Sequence, residues 1–200
     1  VINNYPQLDD IVFQKIPFVD RNRVVCYVGG ISKERGEQLM IDAMKNVDGV
    51  LLIAGAHQKD ELRVGGTVKY LGQLNRNEVN NVFAMSIAGL VTLLPKANYV
   101  NSQPIKMFEY MAAGLPVVCS DFLLWKQIVG ENKCGICVKT DNIDEVTTAI
   151  NYLLDNPEIA QEMGCNGRKA VEEKYSWKME EKALLHLYDI LLYEKRKEKV

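Results

Sequence analysis

The stretch that most constrains this chain is PIKMFEYMAAGLPVV, running from Pro104 to Val118. It reads as a loop, a short helix, a glycine stop and a buried strand. Pro104 suits a helix start, where a missing N–H and a fixed φ cost nothing. Gly114 suits the helix end, because glycine takes the left-handed cap most cheaply. Pro116 blocks continuation, and Val117-Val118 opens an extended apolar run. Inside the helix, Lys106 and Glu109 lie three residues apart, on one face near its positive N-terminal end. An acid held there beside a lysine suits a ligand carrying both sugar hydroxyls and phosphate. The same spacing also suits a weak intrahelical pair on the surface.

The rest of the chain alternates between the two periods. Apolar or β-branched runs at 24–28, 50–54, 68–71, 87–94, 115–119 and 135–138 read as strands. Residues 87–94 are almost continuously apolar, as expected of a strand buried on both faces. Helical patterns occupy 37–46, 59–64, 75–85, 122–129, 144–154, 157–174 and 177–193. Asn75 supplies an N-cap for the third of these. Such alternation predicts an α/β fold: a doubly wound parallel sheet of about six strands with helices on both faces, plus closing C-terminal helices. Ligands in such sheets sit outside the carboxyl ends of the strands. Gly29-Gly30, Gly55-Ala56-His57 and Gly72-Gln73-Leu74 all follow strand ends, so they are expected to converge on one crevice. Residues 1–23 read as an extended lead-in or linker, 24–174 as the sheet domain, and 175–200 as a final helix.

The loop after the first strand has its own physical logic. Gly29 and Gly30 let backbone approach a phosphate closely. Lys33 and Arg35 add positive charge, and arginine can fork two phosphate oxygens. A tight strand-to-helix turn with solvated charges has the same pattern.

Composition narrows the classes. A net charge of −2 gives no reason to expect a nucleic-acid partner. No apolar run is long enough to span a bilayer, and residues 1–10 lack the basic and apolar regions of a signal peptide. Five cysteines at irregular positions fit a reducing, cytoplasmic setting. Cys134 and Cys137 form a C-x-x-C, but it runs into a strand, whereas a redox pair of that type should open a helix. With two histidines, His57 and His186, no metal-ligand spacing appears.

The stretch at 104–118 resembles the P-x-K-x-x-E-Y-M-A-x-G-x-P-V-V signature of the family-4 retaining glycosyltransferases, which have the GT-B architecture. Tyr27 to Gly36 is similar to that family's first strand and phosphate loop, Leu71 to Leu74 to the strand end near the nucleotide base, and Tyr175-Ser176-Trp177 to its C-terminal ending. The resemblance spans about Val24 to Tyr193. It implies the Rossmann-like C-terminal, donor-binding half of an enzyme that moves a sugar from a nucleotide diphosphate to an acceptor hydroxyl with retention, without metal or other cofactor. Arg35, Lys106 and Glu109 are then the catalytic set. Gly29, Gly30, Lys33, Gly72, Gln73, Leu74, Asn101, Ser102, Gln103 and Ile105 bind the donor. The implied partners are the nucleotide diphosphate sugar and an N-terminal GT-B domain. That other domain would carry the acceptor face and any peripheral attachment to the inner face of a membrane.

Two departures stand out. The family loop usually reads G-R-x-x-x-x-K-G; here Gly30 takes the arginine position and Arg35 the lysine position. Lys33 or Lys106 is left to supply the second cation. Many members also carry a glutamate that falls here on Asn101, which bonds hydroxyls without a charge. Two other classes share the pocket. One is a stand-alone nucleotide-sugar-binding or regulatory module. The other is another GT-B enzyme such as a nucleotide-sugar epimerase, against which the signature helix argues.

Overall fold

The computed structural model describes residues 2–13, 16–57 and 64–197 of the 200-residue chain. Six strands form one sheet in the order β3-β2-β1-β4-β5-β6. They are β1 Val24–Val28, β2 Val50–Ala54, β3 Val68–Tyr70, β4 Ala88–Val91, β5 Val117–Ser120 and β6 Gly135–Val138. Every pairing is parallel. The helices are α1 Glu37–Ala43, α2 Arg76–Met85, α3 Ala97–Val100, α4 Ile105–Ala112, α5 Leu123–Asn132, α6 Ile143–Asp155, α7 Pro157–Glu173 and α8 Trp177–Lys197. The strand order runs outward in both directions from β1 and β4. Right-handed crossovers therefore put α1 on one face and α2, α4 and α5 on the other.

Among the described residues the expected strands and helices are present, with informative differences. β4 is shorter than the apolar run because the chain leaves the sheet after Val91. The carbonyls of Val91 and Leu93 accept from the Ser120 hydroxyl, and Leu94 N–H donates to Glu34 O. β5 starts late because Leu115 N–H is still committed to Tyr110 O, closing α4 around Gly114 at φ 77°. The helix expected at 59–64 lies outside the described residues except for Val64. α3 was not expected from the pattern. α2 opens with a reciprocal cap: Glu78 N–H donates to Asn75 Oδ1, and the Glu78 carboxylate accepts from Asn75 N–H.

The lead-in is packed against the domain. Tyr5, Ile11 and Phe18 are buried in the core, and Tyr5 lies edge-on to Phe108 at 4.9 Å between ring centres. By contrast α8 leaves Leu185, Leu187, Tyr188, Ile190 and Leu191 exposed. Among the described residues no helix is long and apolar enough to cross a membrane.

One packing feature shapes the site. β1 and β4 pair only at Val25–Ala88 and Cys26–Gly89, then diverge. Val28 N–H is left without a β4 partner and instead donates to the Tyr110 hydroxyl at 2.7 Å. Tyr110 can lie there because β4 carries Gly89 beneath its ring; a Cβ at Gly89 would stand 2.3 Å from Tyr110 Cγ. The helix α4 is thus fastened across the point where the strand order reverses, which is where a doubly wound sheet opens its crevice.

Candidate functional site

Three loops meet at the carboxyl ends of β1, β2 and β3. Gly29, Gly55 and Gly72 have φ of 139°, 137° and 72°. Gly29 N–H donates to Ala54 O at 2.9 Å, Ile31 N–H to Ala56 O at 2.8 Å, and Gly55 N–H to Gly72 O at 2.7 Å. A Cβ on Gly55 would fall 2.0 Å from Gly29 O. Backbone therefore lies against backbone, and the expected convergence of the three loops is observed.

The polar centre of this crevice is built on Tyr27, in β1. Its hydroxyl donates to Gly30 O at 2.7 Å and accepts from Lys106 Nζ at 2.6 Å. Arg35 Nη1 donates to the same Gly30 carbonyl at 3.2 Å. A Cβ on Gly29 would stand only 2.8 Å from the Lys106 amine. This lysine, from the first turn of α4, is buried at 8% exposure. Burial, then the neighbouring Arg35 charge, lowers its pKa to about 7, with Glu109 pulling the other way. Burial raises the Tyr27 phenol to about 12, partly offset by Arg35. The centre thus holds a desolvated amine and a guanidinium beside a glycine loop, with no carboxylate on either at ion-pair distance among the described residues. That is a disposition for an anion.

Glu109 lies one turn further along α4. Its Oε1 accepts from Arg76 Nη2 at 2.9 Å. The glutamate side chain is 14% exposed and the arginine 46%. Lys106 and Glu109 therefore do not pair with each other; each turns to a residue distant in sequence. A cavity of about 340 Å³ adjoins the Arg76–Glu109 pair and is lined also by Ile105, Tyr5 and Trp177.

The structure brings Gly29, Gly30, Arg35, Lys106 and Glu109 together, with Gly72 joined through Gly55. Gln73 and Leu74 continue from Gly72 towards the start of α2, Gln73 exposed and Leu74 half-buried. Ile105 is exposed at the start of α4, where Met107 N–H donates to Pro104 O and the N–H groups of Ile105 and Lys106 precede the first helical hydrogen bond. Asn101 is exposed beyond α3. Ser102 turns inward: its hydroxyl donates to Tyr99 O, and its carbonyl accepts from the Trp125 indole. Gln103 Oε1 accepts from the Tyr5 hydroxyl at 2.8 Å. Lys33 is exposed in the 3-10 turn Lys33–Arg35.

Tyr27 and Arg76 were not found from sequence. The signal for Tyr27 was a phenol near the end of an otherwise aliphatic strand. Arg76 had no signal, since its contact with Glu109 spans 33 residues. His57 Nε2 lies 3.2 Å from the Glu37 carboxylate. Cys134 and Cys137 do run into β6, and Cys137 Sγ lies 3.6 Å from Cys119 Sγ on the neighbouring strand. Among the described residues no cluster of histidine, cysteine and acidic side chains could hold a metal ion.

A family model described as glycosyl transferases group 1 matches residues 9–170. The chain belongs to this family. An uncharacterized glycosyltransferase of Methanocaldococcus jannaschii is 26% identical over 185 residues, covering 86% of this chain and 46% of that protein. Among solved structures, the sucrose-phosphate synthase of Thermosynechococcus elongatus superposes with a TM-score of 0.81 at 22% identity, over 96% of this chain and 52% of its own. Anabaena HepE in complex with UDP-glucose superposes with a TM-score of 0.78 at 15% identity, over 94% and 57%. These two establish likeness of fold. The chain spans about half the length of the curated relatives it matches.

Proposed function

We propose that this group 1 chain is the donor-binding half of a retaining glycosyltransferase that uses a nucleotide diphosphate sugar. The observation that carries this reading is the Lys106 amine, buried against Gly29 and within the field of Arg35 at the sheet's crevice. Burying an amine without a carboxylate partner costs stability. An entering diphosphate supplies the missing charge and is met by Lys106, Arg35 and the backbone N–H groups of the glycine loop. Glu109, one turn away, accepts from the ribose hydroxyls. The uncovered N–H groups at the start of α4, with Asn101, lie towards the transferred sugar.

In the reaction, the bond between the anomeric carbon and the diphosphate oxygen breaks as the acceptor hydroxyl oxygen bonds to that carbon on the same face. The hydroxyl proton passes to the departing diphosphate. The positive cluster stabilises the charge that develops on the leaving diphosphate. A second domain must bring the acceptor within attacking distance. The relatives' greater length and the exposed apolar side chains of α8 both suit such a domain.

The test is calorimetric titration of this chain with UDP, GDP, ADP and their hexose conjugates, and a transfer assay on the chain alone and on a product carrying a further domain. Saturable binding of at least one nucleotide is expected, with transfer only in the longer product. Failure of every nucleotide to bind overturns the donor reading. Transfer by these residues alone overturns the half-enzyme reading.

A further inference from the structure

The pair formed by Arg76 and Glu109 has a use that the donor reading does not require. Glutamate has three side-chain torsions, and a carboxylate that is to read a vicinal diol must be held in one plane. Glu109 is mostly enclosed, and one of its two oxygens is engaged: Oε1 accepts from Arg76 Nη2 at 2.9 Å. A carboxylate has acceptor capacity on both oxygens, so Oε2 remains for a ligand, beside the cavity of about 340 Å³ that both residues line. The arginine is itself well placed. It is the first residue of α2, between Asn75 and Glu78, whose reciprocal cap anchors the helix start. That cap also occupies Glu78, the nearest acid in sequence, at 2.7 Å, leaving Arg76 to Glu109.

We infer that Arg76 is a positioning residue for ribose recognition: it clamps one oxygen of Glu109 so that the other accepts from the sugar diol of the nucleotide. This rests on the donor-binding reading above. A half-exposed ion pair contributes little to folding, so removal of Arg76 should be visible in ligand discrimination and not in unfolding. Arg76 adds a specificity element contributed by the start of α2 to a glutamate on α4.

The experiment uses whichever of UDP, GDP and ADP binds most tightly, and its 2′,3′-dideoxy counterpart, titrated calorimetrically into the parent chain, Glu109→Ala, Arg76→Ala and Arg76→Lys. The parent should prefer the ribonucleotide by roughly tenfold or more, and Glu109→Ala should abolish the preference. Arg76→Ala should cut the preference to about threefold or less, and Arg76→Lys should recover most of it. A structural defect would lower both affinities together and leave their ratio unchanged. If Glu109→Ala abolishes the preference while Arg76→Ala retains it, the clamp is overturned and the ribose role of Glu109 stands. Tighter ribonucleotide binding by Arg76→Ala also overturns the clamp, because the arginine would then compete with the diol. A preference unchanged in Glu109→Ala removes the ribose reading and the clamp together.

Discussion

Two places at the carboxyl edge of the sheet gather polar or reactive side chains, and they are built on opposite principles. At the β1–β4 divergence, Lys106 and Arg35 lie beside a glycine loop and share a phenol and a carbonyl as their hydrogen-bond partners. At the β5–β6 edge, the groups satisfy one another. Asp121 pairs with Lys126 at 3.0 Å, and the Cys119 and Cys137 thiols lie in contact across registered strands. The Cys119 thiol is pushed well up, first by its bond to Cys137 and then by burial, while the same bond draws Cys137 down. The first place carries uncompensated positive charge in a crevice; the second is closed on itself. A C-x-x-C is the more conspicuous string in the sequence, yet the uncompensated charge lies at the other place, where the proposed function puts the donor.

The largest expected effect breaks that comparison at Lys106. Lys106→Met removes the buried amine at similar volume. It should weaken binding of a nucleoside diphosphate by about 10- to 100-fold, or roughly 1.5–3 kcal/mol. The parent nucleoside should bind both proteins alike, because it brings no phosphate. Equal losses for both ligands in calorimetry would mean general damage and not a lost phosphate contact.

The next effect is a pH dependence. With a free-site pKa of about 7, Lys106 is increasingly neutral above that pH, and diphosphate binding must recharge it. Affinity should therefore fall by up to about tenfold per pH unit above 7 until the bound-state value is reached. Stability moves the opposite way. The unfolded lysine keeps its proton to about 10.5 and the folded one loses it near 7. Between those values the unfolded state binds more protons, so this group makes unfolding harder as pH rises, at about 1.4 kcal/mol per unit in the limit. Lys106→Met should abolish both slopes in titrations and denaturant melts at pH 7 and 9. A binding slope that survives the substitution would assign it to another group.

A smaller effect separates fold from function at Gly30. A Cβ there would stand 2.6 Å from Arg35 Nη1, the far end of a flexible side chain. The arginine can swing aside, so Gly30→Ala should change stability by less than about 1 kcal/mol. The same swing takes the guanidinium off the Gly30 carbonyl and should reduce diphosphate affinity by roughly three- to tenfold. Unaltered affinity would show that the position of Arg35 is immaterial.

These residues also show what could be read from sequence. β2 occupies its expected position because burial on both faces leaves a continuous apolar run bounded by turns. β6 is an edge strand, half-buried along Gly135–Cys137, and its short apolar run still marks it. Gly114 and Asn75 mark helix ends through local backbone chemistry, which sequence records directly. The three-residue spacing of Lys106 and Glu109 suited either a ligand or a weak intrahelical pair, and the intrahelical pair does not form. Lys106 turns to Tyr27 and Glu109 to Arg76, contacts across 79 and 33 residues. No local periodicity encodes such pairs; they exist only once β1, α2 and α4 are packed. The same holds for the inward turn of Ser102 towards Trp125 and for the burial of Tyr5, Ile11 and Phe18 in a segment whose prolines and polar residues read as a plain connection.

The smallest expected effect tests the other half of the comparison. If the β5–β6 edge is closed on itself, its thiols are small packing groups with no part in binding. Cys137→Ser keeps a donor and acceptor of nearly the same size at a half-buried position. Cys119 is fully buried, so a serine hydroxyl there must find a partner, and Cys119→Ala is the gentler change. Either substitution should cost about 1 kcal/mol or less in denaturant unfolding and leave diphosphate affinity within about twofold. Thiol-blocking of Cys137, the more accessible of the two, should likewise leave binding unchanged. A marked loss of affinity in Cys137→Ser, with the melt unaltered, would break the comparison: the cysteine edge would then communicate with the crevice, and charge compensation alone would not have separated a site from a packing feature.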